Sequence, residues 1–213
     1  MSLFCGHYGS GKTNIAVNYA KYLRSRGLSV SIADLDIVNP YFRTKDSEDE
    51  LASLGIEVHS LPFANSSVDL PSLPSTVYGL VQRFDRYVVM DIGGDDRGAY
   101  ALGRFTPFIL EENNFDMFYV VNFYRPLTPD AESAAEVMKE IEAAAGIPFT
   151  AIINNSNLGG VTTPEDILKT KTEINRLSEL TGLPVAFTSV DRRISDSTGI
   201  PDVFPLTLQK KLF

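Results

Sequence analysis

Residues 6–13 read Gly-His-Tyr-Gly-Ser-Gly-Lys-Thr and fit G-x-x-x-x-G-K-[ST] at every fixed position. Gly6, Gly9 and Gly11 allow the backbone to curl until its N–H groups converge on phosphate oxygens. Lys12 supplies a point charge for the terminal phosphates, and Thr13 a hydroxyl for Mg²⁺. Loop residues that can touch a nucleotide run from Gly6 through His7, Tyr8, Gly9, Ser10, Gly11, Lys12 and Thr13 to Asn14. This chemistry holds a nucleoside triphosphate with magnesium. It names neither the base nor the use of the energy.

Such a loop needs a strand before it and a helix after it, with the helix N-terminus aimed at the anion. Ser2-Leu3-Phe4-Cys5 is short and apolar, and Ile15, Val17, Ala20 and Leu23 recur on a helical period. Strand-like and helix-like segments then alternate. Strands are expected at Leu3–Cys5, Ser29–Ala33, Glu57–Leu61, Tyr87–Asp91, Met117–Asn122, Thr150–Asn154 and Val185–Thr188. Helices are expected at Lys12–Arg24, Ser47–Leu54, Ser75–Phe84, Leu102–Glu112, Pro129–Ala145 and Pro164–Leu180. Thr128-Pro129 and Thr163-Pro164-Glu165-Asp166 read as helix starts, and Gly146 and Gly182 as stops. The expected fold is α/β: a three-layer, mostly parallel twisted sheet of about seven strands with helices on both faces. Residues 1–213 read as a single nucleotide-binding domain, without repeat or linker; the Ser- and Pro-rich stretch Asn65–Pro74 is a loop within it.

Two acidic motifs fall at strand ends, where ligands gather in open α/β sheets. Asp34-Leu35-Asp36 follows the second strand, and an apolar run ends in Asp91-Ile92-Gly93-Gly94. Asp91 is placed to hold Mg²⁺, with Thr13, and Asp34 to support the magnesium shell. Asp36 is placed to orient an attacking water. Gly93-Gly94 permits a loop that senses the terminal phosphate. Lys12 and Asp36 are therefore the candidate catalytic pair.

Composition limits the partners. The formal net charge is −8, and no basic stripe is present, which argues against DNA. No apolar run approaches the ~20 residues of a membrane span. Lys210-Lys211-Leu212-Phe213 is too short for an interfacial helix and is expected to pack on the domain. The sole cysteine, Cys5, allows no internal disulfide and reads as a small core residue. These features, with no signal-peptide pattern, point to a reducing cytoplasm. Arg97 and Arg125 follow strands on the ligand edge; they can meet phosphate or a second substrate, but surface ion pairs are the favoured reading.

The early phosphate loop, Asp34-Leu35-Asp36, the run into Asp91-Ile92-Gly93-Gly94 and Ile152-Ile153-Asn154-Asn155 together resemble the MinD/ParA group of P-loop ATPases. That group includes the nitrogenase iron protein, arsenical-pump ATPases and the CobQ/CobB amide synthetases. The resemblance implies ATP or ADP with Mg²⁺, hydrolysis that is slow, and a nucleotide switch acting on a protein partner. It implies a purine contact from Asn154 or Asn155, with Asp191 closing the base pocket. Dimeric members of the group place a second lysine after the first loop glycine and reach the partner's nucleotide with it; here that residue is His7, followed by Tyr8. A homodimer sharing its sites is one form the resemblance implies. An ATP-dependent ligase or small-molecule kinase like dethiobiotin synthetase is the alternative activity, although no arginine-rich lid is present. No Asn-Lys-x-Asp guanine signature follows a strand.

Overall fold

The computed structural model describes residues 1–36, 47–60, 79–80, 85–94, 98, 102–201 and 203–209. Its strands are β1 (Ser2–Cys5), β2 (Val30–Leu35), β3 (Glu57–Ser60), β4 (Tyr87–Ile92), β5 (Asp116–Val121), β6 (Ala151–Asn154), β7 (Val185–Asp191) and β8 (Val203–Leu206). They form one eight-stranded sheet in the order β3-β2-β4-β1-β5-β6-β7-β8. Every pairing is parallel.

Parallel strands buried on both faces need apolar residues at successive positions, not alternation. β1 and β2 are buried along their whole length, and β4 and β5 after their first residue. Successive side chains still point to opposite faces. Leu3, Cys5, Met90, Tyr119 and Ile152 join one core with Met138, Ile141, Ile174 and Leu177. Phe4, Val89, Val120 and Ile153 join the other with Ile15, Val17 and Ala20.

The helices that carry those residues are α1 (Lys12–Ser25), α2 (Glu48–Ser53), α3 (Thr106–Glu112), α4 (Ala131–Ala145), α5 (Pro164–Lys169) and α6 (Lys171–Thr181). Thr163 starts α5 with a reciprocal capping box to Asp166. Gly146 and Gly182 end α4 and α6 in the left-handed region, φ 67° and 71°. Among the described residues no helix is long and apolar enough to cross a membrane.

Several expected boundaries are corrected. α4 begins at Ala131, two residues after Pro129, because the Thr128 hydroxyl donates to the Asn122 carbonyl (2.8 Å). Asp130 caps the helix instead, accepting from Ser133 N–H at 2.8 Å. The continuous helix expected over Pro164–Leu180 is broken at Thr170, which ends α5 and begins α6. The Thr170 hydroxyl donates to the Ile167 carbonyl (2.8 Å) and accepts from Asn154 Nδ2 (3.0 Å), so the break is tied to the end of β6. α3 starts at Thr106, whose hydroxyl donates to Ala145 O, and is shorter than the expected Leu102–Glu112. β8 was hidden by Pro205, which sits opposite Val190 on the sheet's edge strand, where a missing N–H is tolerated. The expected loop Asn65–Pro74, nearly all of the expected helix Ser75–Phe84, Arg97 and Lys210–Phe213 lie outside the described residues.

Replacing Thr163 by Ala removes the hydroxyl of the capping box and is expected to cost about 1 kcal/mol. A urea titration should show a lower midpoint with an unchanged slope.

Candidate nucleotide-binding site

The phosphate loop leaves β1 at Gly6 and enters α1 at Lys12. Gly9 and Gly11 have φ of 79° and 87°, the left-handed region that other residues rarely adopt. Ser10 N–H donates to the His7 carbonyl at 3.0 Å, closing the turn. Gly11 precedes α1 without a side-chain cap, and the first turn holds no acid. The helix N–H groups and their positive partial charge therefore stay available to an anion.

Neighbouring strand ends fix the loop from outside. Asn155 Nδ2 donates to the Ser10 carbonyl (2.5 Å), and Asn155 Oδ1 accepts from Ser189 Oγ (2.6 Å). A Cβ on Gly11 would overlap that Asn155 amide, and one on Gly6 would overlap the Val120 carbonyl. Arg125 Nε donates to the Gly9 carbonyl at 2.8 Å. A Cβ on Gly94 would overlap the Gly6 carbonyl and crowd His7 N, so Gly94, just after β4, lies hard against the phosphate loop.

The acids converge from β2 and β4. Asp34 and Asp91 stand opposite each other in register, with residue exposures of 7% and 0%. Asp36 N–H donates to Asp34 Oδ1 at 3.0 Å. Lys12 Nζ lies 2.6 Å from Asp36 Oδ2, with both side chains buried. Burial alone would lower the Lys12 pKa, yet the nearby Asp91 and Asp36 carboxylates outweigh it and hold the ammonium above its ordinary value. Lys12 is therefore a fixed cation.

These residues fit a nucleotide. The Ser10 hydroxyl is buried beside Gly6 with no hydrogen-bond partner among the described residues, which suits an anion bound in the curl. Thr13, next to Lys12 in the chain, is buried, as are Asp34 and Asp91, which face each other in register. No group of three or more His, Cys, Asp or Glu among the described residues could hold a metal ion. Magnesium at this edge would need phosphate oxygens and water as further ligands, as it commonly does.

The other expected site residues have the following partners. Asn154, 2% exposed, gives its amide to Thr170, and its Oδ1 accepts from Ser156 N–H at 3.1 Å. Asn155 is committed to the loop, as above. Asp191 accepts from Arg193 N–H (3.0 Å) and Nε (2.9 Å), and those bonds hold its carboxyl below its ordinary pKa. Asn14 Oδ1 accepts from Gln209 N–H at 3.2 Å, turning it toward the stretch after β8. Tyr8 is 50% exposed. His7 Nδ1 is 3.0 Å from the Tyr8 carbonyl, and the ring lines a cavity of about 520 Å³ with Gly94, Leu127, Ser133, Glu136 and Glu140.

Arg125 corrects the surface ion-pair reading: among the described residues its side-chain bond is to the Gly9 carbonyl and not to an acid. Ser189 was missed altogether; only the β6–β7 register brings it to Asn155.

The fold is that of a P-loop NTPase. No family model and no curated protein matches the chain. Solved structures do. The signal recognition particle receptor FtsY from Elizabethkingia anophelis superposes with a TM-score of 0.58 at 19% identity, covering 92% of this chain and 60% of that one. The 54 kDa signal recognition particle protein from Aeropyrum pernix, in complex with GDP, gives 0.56 at 19%, covering 88% and 40%. A nucleotide-binding protein from Archaeoglobus fulgidus, in complex with ADP, gives 0.51 at 13%, covering 94% and 88%. The chain thus spans about 60% of the length of FtsY.

Gly94→Ala should push the loop after β4 off the phosphate loop. Nucleotide affinity is expected to fall by about tenfold or more, an amount set by overpacking costs, while far-UV circular dichroism stays unchanged. Cys5 lies behind the loop, fully buried, its Sγ 3.6 Å from the Gly93 carbonyl, and burial pushes its pKa to about 12. A thiol reagent at neutral pH should leave the folded protein unmodified and label it only as denaturant unfolds it.

Proposed function

We propose that the chain is a magnesium-dependent ATP-binding protein of the MinD/ParA type, hydrolysing slowly and acting as a nucleotide switch on a protein partner. The observation that carries this reading is the Lys12 ammonium, buried at the mouth of a glycine curl and 2.6 Å from Asp36. A cation kept charged in that position has an anionic ligand as its natural counterpart. When bound, magnesium would neutralise the triphosphate and polarise its terminal phosphoryl group.

The chain's own residues divide the remaining work. Phosphate competes with Asp36 for Lys12, so nucleotide entry frees the Asp36 carboxylate to hold a water. Thr13, Asp91 and Asp34 would hold the metal. Gly94, pressed on Gly6 and His7, makes the loop after β4 respond to any movement of the phosphate loop. The ADP held by the Archaeoglobus protein, which is matched over 88% of its length, supports adenine.

The cavity of about 520 Å³ beside His7 favours a second reading, an ATP-dependent ligase or small-molecule kinase like dethiobiotin synthetase, with the small substrate in that cavity. Phosphate release measured with and without a panel of small acids separates the two. Stimulation by one acid supports the ligase; a flat panel supports the switch.

Calorimetry with Mg-ATP and Mg-GTP tests the main reading. Wild type should bind ATP more tightly than GTP, and Lys12→Ala should abolish binding. Asp36→Ala should keep or tighten binding, because Lys12 is no longer pre-paired, and should lose turnover. Absence of heat with both nucleotides overturns the reading, and an Asp36→Ala variant with normal turnover removes that residue from it.

A further inference from the structure

We propose that Arg125 is a positioning residue of the phosphate loop: its guanidinium locks the crown of the loop at Gly9 and adds a cationic charge that pairs with no acid among the described residues. This rests on the reading of the loop as a triphosphate site.

The turn that presents Arg125 is rigid. Asn122 Oδ1 accepts from Tyr124 N–H at 3.0 Å, and the Asn122 carbonyl accepts from Arg125 N–H (3.1 Å) and the Thr128 hydroxyl (2.8 Å). Phe123 N–H donates to Ser156 Oγ at 3.0 Å, and the Tyr124 hydroxyl to the Asp166 carbonyl at 2.9 Å. From this base the Arg125 side chain lies along Gly9, its Cδ and Nε 3.6 and 3.5 Å from where a Cβ would stand, and Nε donates to the Gly9 carbonyl.

Gly9 is where the loop most needs a hold. It lies between Tyr8, half exposed, and the left-handed Gly11. Glycine loses more backbone freedom on ordering than any other residue. A loop ordered before the ligand arrives spares binding that loss. The Gly9 carbonyl and the Ser10 N–H share one peptide plane and point opposite ways. A donor fixed on the carbonyl therefore also fixes the Ser10 N–H, which closes the turn onto His7.

The charge argument is independent. Lys12 is paired with Asp36 and faces Asp91. Arg193, which follows β7, is bonded to Asp191. Arg125 ion-pairs with no carboxylate among the described residues, and its single side-chain bond there is to Gly9. A planar guanidinium with donors to spare beside an anion-binding loop is a geometry that a lysine does not reproduce.

Dissociation constants for Mg-ATP and for magnesium tripolyphosphate, a probe without a base, are measured for wild type, Arg125→Ala and Arg125→Lys. Amide hydrogen exchange at Ser10 is followed without ligand. Arg125→Ala should weaken both ligands by a similar factor, about tenfold for one charge-assisted contact, and speed Ser10 exchange. Arg125→Lys should recover part of the affinity through its charge, with Ser10 exchange still fast. If Arg125→Ala does not fold, the lysine variant carries the test. Wild-type affinity in Arg125→Ala, at any melting temperature, overturns the proposal, as does full recovery of exchange protection by lysine. Failure of wild type to bind either ligand overturns the triphosphate reading itself and this proposal with it.

Discussion

A lysine ammonium buried against two aspartates is the constraint around which this protein is arranged. Burying a charge is costly unless partners compensate it, and removing one partner leaves the other charge stranded. Lys12 therefore requires Asp36 at 2.6 Å and Asp91 nearby, the first just after β2 and the second on β4. β2 and β4 must pair in the register that sets Asp34 opposite Asp91. β1 must lie beside β4 so that the loop it feeds opens over those acids. The sheet order that places β4 and β5 on either side of β1 satisfies all of this at once.

The same order explains where a ligand fits. From β1 the chain runs through α1, on one face of the sheet, to β2 on the far side of β4. From β4 it runs through α3, on the other face, to β5. Connections that part in this way open a crevice at the carboxyl ends of the strands. The phosphate loop lies there, and Gly94 after β4 and Arg125 after β5 both meet it.

Much of this was legible in the residues. The phosphate loop, the strand before it and the helix after it are set by local spacing, as are the acidic strand ends and the stops at Gly146 and Gly182. What stayed hidden depends on partners far away in sequence. Thr128 looks like a cap, but its hydroxyl is taken by Asn122. Thr170 looks like a helix interior residue, but Asn154 holds it at a break. Pro205 argues against a strand until β8 proves to be an edge. The asparagines at the end of β6 could be read for position, but their partners, Thr170 for one amide and the Ser10 carbonyl for the other, come from distant sequence. Types and spacings identify a chemistry, but they do not say which of several polar atoms is already engaged.

The loop itself shows why such long-range bonds are needed. Its glycines are required by the tight approach of Val120, Asn155 and the loop after β4, and by left-handed backbone at Gly9 and Gly11. Those glycines make the segment soft when it is considered alone. Stiffness has to come from outside, and two successive carbonyls, Gly9 and Ser10, are gripped by side chains from the ends of β5 and β6. Ser189 extends the second grip to β7. The phosphate loop is thus shaped by its own sequence but held by the sheet, and a substitution three strands away can loosen it without touching a ligand.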